Sequence, residues 1–137
     1  MKFFIDNNLP PNWSGCLKES SLGQFAPIKK VEDVEHLRKR FAGNTPDIHW
    51  IQKLASEKDW TIISGDGFRK QNGGERRVLR QSGLSVFVLQ KSWANHPYWE
   101  KTAQLLRWWP RIVEQTNLVE GAAFEVPWRT TGKLKQL

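Results

Sequence analysis

The chain holds one cysteine, Cys16, among 137 residues. One thiol closes no internal disulfide and builds no structural zinc site. Cys16 falls on an expected helix among apolar neighbours, where cysteine serves as a small core residue rather than a nucleophile. The three histidines, His36, His49 and His96, show no short ligand spacing such as His-x-x-x-His, which removes the usual zinc motifs. No apolar run approaches the roughly 20 residues needed to span a bilayer. No basic leader with a long apolar stretch precedes the acid at position 6, so no signal peptide is expected. These absences point away from secreted, disulfide-stapled and membrane-spanning classes and toward the reducing cytoplasm. Repeats, low-complexity tracts and linkers are missing too, so one domain over residues 1–137 is expected.

What the chain does have is charge, aromatic rings and a pattern. Charged residues make up 26% and aromatics 12%, the composition of a folded globular protein. Eight tryptophans should mostly lie in the core or an interface, because each carries a large buried area. Their abundance is compatible with a homodimer. The net charge of +7 speaks of partners rather than fold. Nucleic acid is the usual polyanion, and a solvated basic surface kept for solubility is the plain alternative.

Lys2 to Asp6 reads as a short buried strand ended by an acid. After the turn Asn7-Asn8-Leu9-Pro10-Pro11, a helix is expected from Pro11 to Ser20. Ile28 to Val34 is a candidate second strand, marked by Val31 and Val34, and His36 to Phe41 is ambiguous between helix and turn. Thr45 suits an N-cap and Pro46 the first helical residue. Ile48, Ile51, Leu54 and Ala55 then trace an apolar stripe to about Asp59. Trp60 to Ser64 is a strand with β-branched residues at its centre. A helix from Glu75 to Gln81, stopped at Ser82-Gly83, leads to a strand at Leu84 to Leu89. Asn95 should cap the next helix, with Pro97 in its first turn. Pro110 should kink or break that helix, leaving a second piece from Arg111 to about Leu118. Ala122 to Val126 is the last strand. Strands alternating with helices predict an α/β fold of three layers, a mostly parallel twisted sheet with helices on both faces.

Three acids follow element boundaries in this scheme. Asp6 ends the first strand, Asp66 follows Ile62-Ile63-Ser64-Gly65, and Asp47 opens a helix. Ligands in such sheets bind beyond the carboxyl ends of the strands. Carboxylates gathered there repel one another unless a cation neutralises them. Each has an ordinary reading as well: a turn bond for Asp6, the helix dipole for Asp47, a turn before glycine for Asp66. Their conjunction points to a site. Carboxylates without cysteine or paired histidine select Mg²⁺ or Mn²⁺ over zinc. Glu75 is a candidate fourth acid, or a first-turn dipole partner. Asn7 and Ser64 are placed to hold metal-bound water. All three histidines read as surface or satisfied residues, with His36 also a candidate substrate contact.

Arg80 shares a helix face with Arg76 and Arg77 through spacings of four and three. Arg69 and Lys70 come just after Asp66. Together these five would hold a phosphate backbone beside the acids, unless they form a solvated face. Arg38, Lys39 and Arg40 make a second, weaker cluster.

At this point the residues resemble a known family. Phe3-Phe4-Ile5-Asp6-Asn7-Asn8-Leu9 is similar to the opening of PIN-like domains. Thr45-Pro46-Asp47 and then Ile62-Ile63-Ser64-Gly65-Asp66 continue that pattern in order. Glu75 to Leu89, Arg107-Trp108-Trp109-Pro110 and Ala122-Ala123-Phe124-Glu125-Val126-Pro127 resemble the toxin branch of the superfamily. The resemblance implies a PIN fold and a Mg²⁺- or Mn²⁺-dependent endoribonuclease. Such an enzyme cleaves RNA phosphodiesters with a metal-activated water, leaving 5′-phosphate and 3′-hydroxyl ends. It implies the toxin of a toxin–antitoxin pair, partnered by RNA and a cognate antitoxin. Asp6, Asp47 and Asp66 would be its catalytic, metal-holding acids. The fourth acid that many PIN nucleases carry close behind the third is absent from Gly67, Phe68, Arg69 and Lys70, and Glu75 would take its place.

Other readings separate by motif. A phosphoacceptor receiver domain wants two adjacent acids after the first strand, and Asn7-Asn8 stands there. A haloacid-dehalogenase-type phosphatase wants an acid at the position of Asn8. A catalytically silent PIN-like module would bind RNA or protein without metal and leave RNA uncut.

Overall fold

The structure, a computed structural model, describes residues 1–65 and 74–137, excepting the side chains of residues 74 to 76. Its strands are β1 (Lys2–Ile5), β2 (Asp33–His36), β3 (Trp60–Ser64), β4 (Ser85–Leu89), β5 (Ala123–Val126) and β6 (Lys135–Gln136). Its helices are α1 (Asn12–Ser21), α2 (Leu37–Arg40), α3 (Asp47–Glu57), α4 (Gly74–Ser82) and α5 (Tyr98–Leu118). One sheet runs in the order β2-β1-β3-β4-β5-β6. The first five strands are parallel, and β6 pairs antiparallel with β5.

Alternation along the strands splits the core in two. Phe3 and Ile5 of β1 join Ile63, Phe87, Leu89, Phe124 and Val126 on one face. Helices α1 and α5 cover it with Trp13, Leu17, Leu105, Trp108, Trp109, Ile112 and Val113. Phe4, Ile62, Val86 and Val88 point to the other face, under Trp50, Ile51 and Leu54 of α3. Phe3 meets Trp109 with ring centroids 4.6 Å apart, and Phe4 stacks on Trp50 at 5.1 Å. This is the three-layer α/β arrangement expected from the strand–helix alternation. Six tryptophans are buried, Trp128 is half-buried and Trp99 is exposed.

Several local expectations are corrected. The second strand is Asp33–His36 rather than lying within Ile28 to Val34, where residues 27–29 form a 3₁₀ turn. As a sheet edge, β2 buries only Val34 and His36, so its polar alternation hides it. Helix α5 runs unbroken through Pro110 for 21 residues. Pro110 and Leu106 are both exposed, so the carbonyl that proline leaves without a donor lies on the wet side of the helix. Burial of Trp108, Trp109, Ile112 and Val113 around it outweighs the local penalty. Pro46 rather than Thr45 stands at the cap of α3, and Pro97 rather than Asn95 at the cap of α5. Among the described residues, no helix is long and apolar enough to cross a membrane.

Candidate functional site at the carboxyl ends of β1 and β3

Strand order fixes where a ligand would enter. From β1 the chain goes to β2 on one side of it, and from β3 to β4 on the other. The crevice beyond the carboxyl ends of β1 and β3 is therefore the topological switch point, where doubly wound sheets bind ligands.

Asp6 sits in that crevice, one residue past β1, and is only 6% exposed. Its backbone N–H extends the ladder to Ile63 O at 3.0 Å. Its Oδ1 accepts the Asn7 N–H at 2.6 Å, and its Oδ2 accepts the buried Ser64 hydroxyl at 2.9 Å. Two donors from different strand ends fix the plane of the carboxylate. Asn8 makes a second staple, with Oδ1 accepting the Gly65 N–H at 3.2 Å. A Cβ at Gly65 would stand 3.1 Å from Leu9 Cδ2 and 3.3 Å from Asn8 Oδ1. Glycine lets the two strand ends approach this closely.

Asn7 is a bracket. Its amide nitrogen donates to Gly43 O at 3.1 Å, and its Oδ1 accepts Arg38 Nε at 2.6 Å. Arg38 also donates to Asn7 O at 3.3 Å. The loop leading to α3 and the start of α2 are thus tied to the turn beside Asp6. Asp47 opens α3 at the same edge of the sheet. Its Oδ1 accepts the Trp50 indole N–H at 3.0 Å, and Trp50 stacks on Phe4, two residues before Asp6.

His36 ends β2 fully buried, so it is a satisfied histidine and does not reach a substrate. Its Nδ1 accepts the Arg38 N–H at 3.2 Å, capping α2, and its Nε2 lies 2.8 Å from Leu9 O. Those partners assign the neutral ring with the proton on Nε2. Burial pushes its pKa below the ordinary value of 6.5. His49 is exposed on α3.

Of the other expected site residues, Asp66, Arg69 and Lys70 lie outside the described residues, as do the side chains of Glu75 and Arg76. Arg77 is exposed on α4. Arg80, in the last turn of α4, lines a cavity with Glu120, Gly121 and Ala122 just before β5. That cavity lies toward the amino ends of the strands, away from Asp6. Arg38 is the cation beside Asp6 that sequence reasoning missed. Its cluster is visible in the sequence, but its position depends on the β1–β2 register, which pairs Ile5 with His36.

The donors gathered at this crevice are hard oxygens, a buried carboxylate chief among them, and such donors suit Mg²⁺ or Mn²⁺. Among the described residues, no three of His, Cys, Asp and Glu stand together as a metal-holding group.

A family model described as PIN like domain matches residues 1–91. This chain belongs to the PIN-like domain family. PIN-like domains are typically nucleases. The match covers β1 through β4 and with them the switch point, while α5, β5 and β6 lie beyond it. No curated protein and no solved structure matches the chain.

Proposed function

We propose that this PIN-like domain is a divalent-metal-dependent endoribonuclease and the toxin of a toxin–antitoxin pair. The observation that carries the nuclease reading is the buried Asp6 carboxylate at the switch point, oriented by Ser64 and Asn7. Burying a carboxylate costs several kcal/mol unless it is compensated, and this one lies at the strand ends where sheets of this kind bind ligands. Asp6, Asp47, Asp66 and Glu75 would hold Mg²⁺ or Mn²⁺. The ion would supply Lewis acidity and a water of lowered pKa.

The chain's own residues do the positioning. Ser64 and the Asn7 N–H keep the Asp6 oxygens from rotating. Arg38, anchored on Asn7, sets a fixed positive charge beside the site, suited to a phosphate of the RNA. Arg69, Lys70, Arg76 and Arg77 would extend that charge along the backbone. The net charge of +7 favours encounter with a polyanion. The toxin reading rests on the resemblance of Arg107-Trp108-Trp109-Pro110 and of Ala122 to Pro127 to that branch.

Purified protein should cut single-stranded RNA with Mn²⁺ or Mg²⁺ and not with EDTA. Asp6→Asn should bring cleavage to background with far-ultraviolet circular dichroism unchanged. Mn²⁺ should raise the Tm of the parent by mass action, and the shift should vanish in Asp6→Asn. A variant that cuts like the parent removes Asp6 from the site. RNA bound but left uncut by the parent identifies a silent binding module instead. Expression that arrests growth for the parent and not for Asp6→Asn would support the toxin role, and unimpaired growth would oppose it.

A further inference from the structure

Outside the family match, the carboxyl edge of the sheet carries a second polar feature. A groove of about 690 Å³ opens between α5 and the segment that follows β5. His96, Arg107, Trp128, Arg129 and Thr131 line it. Its position follows from the topology. His96 comes after β4, and Trp128 after β5, so both stand at the strand ends that also present Asp6. The amino-terminal parts of α1 and α5 are joined at the same edge, Trp13 Nε1 donating to Thr102 Oγ1 at 2.8 Å.

The groove is built rather than incidental. Trp128 stands edge-on to buried Trp93, with centroids 4.9 Å apart at 81°. His96 lies flat on Trp128, 3.6 Å away and 3° from parallel. The stack thus ends in a part-exposed imidazole face. Behind it, the Trp128 carbonyl accepts from the Gln104 amide and, at 3.4 Å, from Trp108 Nε1. Arg111 donates to Gly132 O at 3.2 Å and also to Thr130 O, pinning the far wall. A Cβ at Gly132 would come within 2.9 Å of Pro127 Cγ, so the turn there is tight.

Two guanidinium groups face this frame. Arg107 is steadied by Gln104 Oε1 at 3.3 Å, and Arg129 is exposed. Among the described residues neither meets a carboxylate within ion-pair distance. Glu100, the acid that lines the groove, stands 3.3 Å from His96 Nδ1. Trp99 precedes Ala103 and Arg107 by four and eight residues, which puts all three on one helix face. Its side chain is 80% exposed, unusual for so large an apolar group.

We infer that this groove seats single-stranded RNA, with Arg107 and Arg129 on phosphates and Trp99 and the outer face of His96 stacking on unpaired bases. Alternating cations and open ring faces are how proteins hold single strands without reading sequence. A duplex hides its base faces and fits this arrangement less well. The groove would extend the track of the substrate along the carboxyl edge from the Asp6 crevice. The inference rests on the nuclease reading for its substrate, but its test does not use cleavage.

The probe is a fluorescent oligouridylate, titrated in EDTA into Asp6→Asn protein over a range of salt. Arg107→Gln with Arg129→Gln should weaken binding and flatten the slope of log K against log salt by about 1.4, two single-strand phosphate contacts. Trp99→Ala should cost about tenfold in affinity with the slope unchanged, and Trp99→Phe should restore most of it. Trp99 is a surface residue, so this pair stays informative if the arginine variant folds poorly. Affinities and slopes within twofold of the parent in every variant would overturn the groove, whether or not the wild type cuts RNA. No binding in EDTA by an Asp6→Asn protein whose wild type does cut would overturn the groove and leave the nuclease reading standing. A wild type that cuts no RNA, with groove variants still weakening binding, would overturn the nuclease and keep the groove.

Discussion

The two edges of the sheet handle ionisable side chains differently. At the carboxyl edge, Asp6 just past β1, and His36 and Ser64 at the ends of β2 and β3, are all buried. At the amino edge the charged side chains are exposed or half-buried. The amino terminus stands 3.9 Å from Glu32 and 3.7 Å from Asp59, whose side chains are more than half exposed. Glu57, at the end of α3, takes a two-pronged contact from Arg40, at 2.8 and 2.5 Å. Burial of a polar group costs free energy unless every bond is made. Among the described residues, the amino edge buries only the hydroxyls of Thr61 and Ser85, whereas the carboxyl edge buries an ionisable carboxylate and an imidazole on neighbouring strands. That contrast is what favours the carboxyl edge for the proposed site.

The comparison breaks most sharply at Asp6, where Asp6→Asn separates activity from folding. Ser64→Ala is the next step down. It removes the hydroxyl that holds Asp6 Oδ2 and leaves a buried acceptor one donor short. We expect cleavage to fall by about 10- to 100-fold, the usual effect of losing a residue that orients a metal-holding group. Stability should fall by about 1 kcal/mol. Urea denaturation and an RNA-cleavage time course on the same preparation measure both. Parent-like cleavage with the stability loss intact would make Ser64 a purely structural residue.

Acid should loosen the two edges in different pH ranges. His36 has a folded pKa below its ordinary 6.5, so the unfolded chain takes up more protons beneath about that pH and stability falls. Protonation at Nδ1 also removes the acceptor for the Arg38 N–H, the start of the chain of contacts from Arg38 to Asn7. Glu57 behaves differently: the Arg40 guanidinium holds its pKa down at about 2 against an ordinary 4.5. Its contribution is complete above about pH 4.5 and is lost as pH falls toward 2. Partial exposure limits it to about 1 kcal/mol. Amide exchange followed by NMR should show the Leu9 and Arg38 region opening below about pH 6.5, while α3 near Glu57 holds until the pH is well under 4.5. Loss of both regions together would mean that acid acts globally and the edges are not distinct.

Much of the fold is legible in the sequence because the central strands are buried on both faces. Phe3-Phe4-Ile5, Ile62-Ile63 and Val86-Phe87-Val88-Leu89 read as continuous apolar runs. Edge strands carry a weaker signal. In β2, Asp33 and Glu35 alternate with Val34 and His36, and in β6 two exposed residues pair with β5. Pro110 misleads for a different reason: its penalty is local, and the packing that overrides it comes from residues distant in sequence. The site divides along the same line. Asp6 is visible because an acid stops an apolar run. Arg38 and His36 are not, since their roles need the register of two strands separated by a helix. Trp128 and His96 are 32 positions apart, and only the parallel β4–β5 pairing brings their rings together.

The smallest expected effect lies at the amino edge and is the control for the rest. Glu32→Gln and Asp59→Asn each remove one exposed charge near the terminal amine. Asp59 has φ 65°, a left-handed conformation that asparagine tolerates well, so the second substitution reads charge alone. Each should change stability by less than about 0.5 kcal/mol and leave cleavage and RNA affinity at the parent level. That response, set against Ser64→Ala, is what the contrast between edges requires. A loss at Asp59 as large as that at Ser64 would mean that the surface ion pairs hold the amino edge together, and that buried polarity at the other edge is no guide to function.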